Sequence, residues 1–191
     1  MNLTPGLTSA VDLLHKLQRD VGRLNKEITS DDFFNFVIAG NSLIDWVKHD
    51  TSLPASARTP KEIDRLHKEP WLKVCGDLAT ASRHYTLTRR KAVVTRAESK
   101  SGFGKGRYGT GAYGVGEDSI EIRINNNSEW IAQEFACGVL LAWLQFFERR
   151  SIEHGDSLCG LTSKLLGRPE PDIHQLTLPA WKPSSVVAST R

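Results

Sequence analysis

The residues best suited to chemistry on a charged partner are bunched between positions 83 and 107. Arg83, Arg89, Arg90, Lys91, Arg96, Lys100, Lys105 and Arg107 stand there against one acid, Glu98, a local charge of +7 in a chain whose net charge is +3. The remainder of the chain is therefore acidic, and the positive charge is a local feature. Tyr85, Phe103, Tyr108 and Tyr113 are interleaved with these cations. Cations attract phosphates and flat rings offer surfaces on which unpaired bases stack, so the eight cations together with Tyr108 and Tyr113 are candidate nucleic-acid-binding residues. A solvated hairpin tip that keeps the protein in solution is the other reading of the same segment.

Two further sets invite chemistry. Asp77 and His84 are seven residues apart, nearly two helical turns, so they share a face and can orient a proton-transfer group; the commoner role of such an aspartate is an ion pair, here with Lys73 or an N-terminal arginine. Arg149 and His154 lie five apart at the end of the most apolar stretch of the chain. Two GxGxxG strings, Gly104 to Gly109 and Gly109 to Gly114, lead from one β-type run to another instead of from a strand into a helix, which excludes a dinucleotide site. A kinase-type nucleotide loop fails as well, because no strand lysine, His-Arg-Asp or Asp-Phe-Gly follows. No His, Cys and carboxylate set has metal-ligand spacing, so neither a metal nor another cofactor is expected.

The elements that must position these residues read as helices. The stretch from Ser128 to His154 is apolar nearly all round between Trp130 and Phe147, which predicts the central helix of a bundle, capped by Ser128 and closed by Arg149 and Arg150 at the negative end of its dipole. Its uninterrupted apolar run, Phe135 to Leu144, is about half of the roughly 20 residues a bilayer span needs, so no membrane helix is expected. Leu14, Leu17, Val21, Leu24 and Ile28 step by three and four within a helix predicted over 7 to 28, with Lys16, Arg19, Asp20, Arg23 and Lys26 on a solvated face. Gly22 within it marks a kink or a close contact.

Thr29 to Asp32 offers caps for a second helix to about Lys48, whose stripe is Phe33, Phe36, Val37, Gly40, Leu43, Ile44 and Val47. Thr59-Pro60-Lys61-Glu62 starts a short helix to Lys68, and Pro70 opens the next, with Trp71, Val74, Cys75, Leu78 and Ala79 on one face. Residues 92 to 95 and 119 to 124 are β-type runs that pair as an antiparallel hairpin. Seven of the fifteen glycines lie between them, a composition that predicts mobility in the unbound protein. Asn125 to Asn127 turns the chain into the central helix.

The fold class is thus mainly α: a four- to five-helix bundle over 1 to 166, with a β-hairpin at 91 to 124 inserted before the last long helix, then a proline-rich tail over 167 to 191. A short helix at 158 to 166 and a tail pinned by Trp181 complete it. Cys75, Cys137 and Cys159 are odd in number and suit reduced, buried thiols. Met1 to Pro5 has neither the basic nor the apolar region of a secretory signal, so the cytoplasm is the expected compartment.

Helix order, bundle size and the string Arg149-Arg150-Ser151-Ile152-Glu153-His154 together resemble the HEPN superfamily, small helical bundles common in prokaryotic defence and toxin systems. Its signature is an arginine, a polar residue, about three variable positions and a histidine; Arg150 stands where the family usually has Asn, Asp or His. The resemblance implies a metal-independent ribonuclease site formed across a homodimer, with Arg149 on the scissile phosphate and His154 as general acid or base. It leads to an RNA-directed protein, either a ribonuclease or a binder that does not cut. The alternative is a regulatory protein whose basic arm grips an acidic protein partner. Salt dependence separates the two, since phosphate contacts lose affinity steeply with salt.

Overall fold

The computed structural model describes residues 5–82, 92–102, 117–125 and 128–155. In chain order these form α1 (Ala10–Leu24), α2 (Ser30–His49), a 3-10 turn (Ala55–Ala57), α3 (Pro60–Lys68), α4 (Pro70–Ala81), three antiparallel strands β1 (Val94–Gly102), β2 (Glu117–Ile124) and β3 (Glu129–Ile131), and α5 (Ala132–Arg149). The protein is mainly helical, with the small sheet ahead of its last long helix.

Local chemistry accounts for the helix ends. Ser9 accepts from the Asp12 N–H at 3.1 Å while the Asp12 carboxylate accepts from the Ser9 N–H at 2.9 Å, a reciprocal cap that starts α1 at Ala10 and not at Leu7. Thr29 caps α2 through the Asp32 N–H, and Thr59 with Pro60 opens α3. Glu69 ends α3 and caps α4 in one residue, accepting from the Leu72 N–H at 2.8 Å. A capping box would turn Glu62 back to Thr59, but its carboxylate pairs with Arg150.

The expected stripe of α2 is buried in full, and Gly40 is where other helices come close: a Cβ there would stand 3.1 Å from the Cys75 sulfur. The bare backbone leaves the Gly40 carbonyl open to the Trp143 indole N–H, which donates to it at 3.1 Å. Asp20 departs from the expected solvated face. Only 1% of it is exposed, and Lys16 and Arg23, one turn to either side, neutralise the carboxylate as α1 packs on α2 and α5. Gly22 has open space around it, so it marks no close contact.

The central helix is shorter than the sequence reading at both ends. Glu129–Ile131 pairs with β2 (Ile122 opposite Trp130, Glu121 opposite Ile131), so the hairpin gains a third strand and α5 starts at Ala132 without a side-chain cap. Alternation decides this: Ile120, Ile122 and Ile124 are buried on one face of β2, and its edge offers Trp130 and Ile131 backbone partners that a Ser128 hydroxyl cannot match. Ser128 serves instead through its carbonyl, which accepts from the Ile124 N–H. At the other end Ser151 enters the left-handed region at φ 51° and stops the helix short of His154.

Between those ends Phe135, Val139, Leu140, Trp143, Leu144, Phe146 and Phe147 are buried, and α1, α2, α4, β2 and β3 all pack on α5. β1 and β2 pair from Val94 opposite Ile124 to Gly102 opposite Glu117, longer than the two runs expected. The glycine-rich loop, the helix at 158 to 166 and the proline-rich tail lie outside the described residues. Among the described residues no helix is long and apolar enough to cross a membrane.

Candidate anion-binding cleft

On α3 the residues Glu62, Arg65, Leu66 and Glu69 recur at three and four and form one ridge. It faces Ala142, Gln145, Phe146 and Arg149, the corresponding ridge of α5, across a cleft of about 310 Å³. Leu66, Ala142 and Phe146 make an apolar floor, while exposed Arg65 and Arg149 stand over it.

The charges in this cleft are unequally satisfied. Glu62, 8% exposed, accepts from Arg150, whose guanidinium holds its carboxyl below the usual range. Burial pushes the Glu69 carboxyl up, against the backbone N–H groups it caps. Arg149 is held below the ordinary guanidinium value, first by burial and then by Arg65 and Arg150 beside it, with Glu62 and Glu69 only partly offsetting them. Among the described residues neither Arg65 nor Arg149 has a carboxylate at ion-pair distance. Two forked donors crowded over an apolar floor are suited to a phosphate, which accepts bidentately and removes the repulsion between them.

His154 lies elsewhere. Its ring meets Phe147 edge to face at 6.1 Å, its carbonyl accepts from His15 of α1 at 2.9 Å, and it is 8% exposed, its buried Nδ1 having no hydrogen-bond partner among the described residues. Phe147 and Arg149 are two positions apart on a helix, about 200° around it, so Arg149 turns to α3 while His154 turns toward α1. Within one chain the two residues are not brought together.

Of the basic-segment candidates, Arg96 and Lys100 fall within the described residues. Arg96 pairs with Glu98 along β1, and Lys100 pairs with Glu121 across the sheet. Arg83, Arg89, Arg90, Lys91, Lys105, Arg107, Tyr108 and Tyr113 lie outside the described residues, as does His84. Asp77, 2% exposed, accepts from the Val93 N–H at 2.6 Å and ties the start of β1 to α4. The Cys75 thiol donates to the Val37 carbonyl and burial pushes it far up; burial pushes Cys137 up to about 11. Among the described residues no group of three or more His, Cys, Asp or Glu could hold a metal ion.

Sequence reasoning missed Arg65, Glu62 and Glu69 as members of a site. The three- and four-residue spacing was visible, but a last-turn arginine also suits the helix dipole, and nothing in sequence said that α5 would bring Arg149 to it. Comparison with known families, with curated proteins and with solved structures finds no match.

Proposed function

We propose that this protein is an RNA-directed bundle of HEPN type that holds single-stranded RNA without cutting it, with a phosphate seated between Arg65 and Arg149. The observation that carries the reading is geometric: Arg65 and Arg149 line one cleft from α3 and α5, and among the described residues neither has a carboxylate at ion-pair distance. The orientation of His154 supports binding over cleavage: its ring is buried against Phe147, on the other side of α5 from Arg149.

Incubation of the protein with end-labelled single-stranded RNA tests both halves of the proposal. The expected result is a salt-sensitive complex with intact RNA, weakened in Arg149→Gln and unchanged in His154→Ala once the folded fraction is matched. Cleavage lost in both variants would replace this reading with the ribonuclease. Binding to an acidic protein with no RNA complex at any salt concentration would replace it with the regulatory reading.

A further inference from the structure

A second cleft, of about 390 Å³, lies on the other flank of α3. Ile63 and His67, one turn apart, form its α3 wall, and α2 supplies Asn41, Ser42, Asp45 and Trp46. Ile63 and the half-buried indole of Trp46 pack against the core, so the ring is held in place while part of it stays open. Asn41 and Ser42 add hydrogen-bonding groups beside that ring. Asp45 is partly engaged by His49 at 3.2 Å and leaves the cleft close to neutral against Lys48.

The two clefts differ in chemistry and share one short helix. Arg65 and Arg149 stand over the first, and a flat ring with polar neighbours lines the second. A helix with its side chains is about 10–12 Å across, a width that two or three nucleotides of an extended strand can cross. A cationic track joined to an aromatic platform is how unpaired strands are held without sequence preference.

Resting on the RNA reading above, we infer that the cleft at Trp46 takes an unpaired base of the strand whose phosphate sits between Arg65 and Arg149. The base stacks on the indole, Asn41 and Ser42 meet its edge, and the backbone crosses α3 at Lys68. Lys68 is held by Asp64 at 2.6 Å, on the exposed side of the helix between the clefts.

The test compares an eight-nucleotide RNA with the same ribose-phosphate chain lacking bases, by fluorescence anisotropy. Trp46→Ala should weaken intact RNA by about 5- to 150-fold, the equivalent of losing one stacked base, and leave the abasic chain unaffected. Trp46→Tyr, which keeps a flat ring, should stay within a few-fold of wild type. Because Trp46 packs on the core, a second readout uses the intact protein labelled with 5-fluorotryptophan. Its Trp46 resonance, identified with Trp46→Phe, should shift on adding intact RNA and stay in place with the abasic chain. Equal loss for both ligands, no loss for either, or an unmoved resonance overturns the inference while RNA binding itself stands. Absence of any RNA complex overturns the RNA reading and this inference together.

Discussion

Two cationic regions of this molecule look alike in sequence and behave differently in three dimensions. On the sheet Arg96, Lys100 and Arg123 each have a carboxylate partner, Glu98, Glu121 and Glu129, so the charges there are internally balanced. In the cleft between α3 and α5, Arg150 takes the buried Glu62, Glu69 caps α4, and Arg65 and Arg149 share the cleft with no carboxylate at ion-pair distance among the described residues. A count of cations along the chain favours the first region. Pairing, which is a property of the fold, favours the second.

The largest effect should come from separating the structural arginine of the cleft from the other two. Arg150→Gln leaves the Glu62 carboxylate, 8% exposed, without its charged partner and should cost about 1–3 kcal/mol in urea unfolding. Arg65→Gln and Arg149→Gln, which remove no ion pair among the described residues, should stay within about ±0.5 kcal/mol of wild type. A loss of the same size in all three would mean that the cleft is a structural ion network and nothing more.

A smaller effect, far from both regions, checks that stability and binding are separable. Asp12→Ala removes half of the reciprocal cap of α1 and should cost about 1 kcal/mol at neutral pH, with RNA affinity unchanged. The Thr8 backbone N–H and hydroxyl and the Ser9 hydroxyl hold the Asp12 carboxyl at about 2, below its ordinary 3.8. A depressed carboxyl contributes stability above its unfolded value and loses it as pH falls through the folded one. The difference between wild type and variant should therefore shrink between about pH 4 and pH 2, and a constant difference would mean that the charge is not what matters.

The smallest effect is expected on the sheet. Lys100→Gln and Arg96→Gln break exposed pairs, worth about 0.2–1 kcal/mol each. Thermal melts should barely move. A large drop would show the hairpin to be held by its charges rather than by Ile120, Ile122 and Ile124.

The contrast also explains what was legible in the sequence. The helices were, because their apolar stripes and their Thr29, Thr59 and Pro70 starts are local signals. The third strand was not, since Glu129–Ile131 is a strand only because β2 presents an edge to it, a long-range fact that a helix-like apolar pattern hides. Asp20 looked like a surface charge and is buried with Lys16 and Arg23 as partners, for the same reason. At the candidate site Arg149 was visible as a motif residue, whereas Arg65 becomes interesting only through the packing that puts it beside Arg149.

The central claim is that Arg65 and Arg149 of the cleft, and not the paired cations of the sheet, hold phosphate. Measuring the affinity for single-stranded RNA across a series of salt concentrations compares the two regions within one protein. The double variant Arg65→Gln/Arg149→Gln should bind more weakly, with a slope against log salt shallower by about 0.7, the contribution of the one phosphate held between them, while Arg96→Gln/Lys100→Gln should keep the wild-type slope. The reverse pattern, a slope lost with the sheet pair and kept with the cleft pair, would contradict the account.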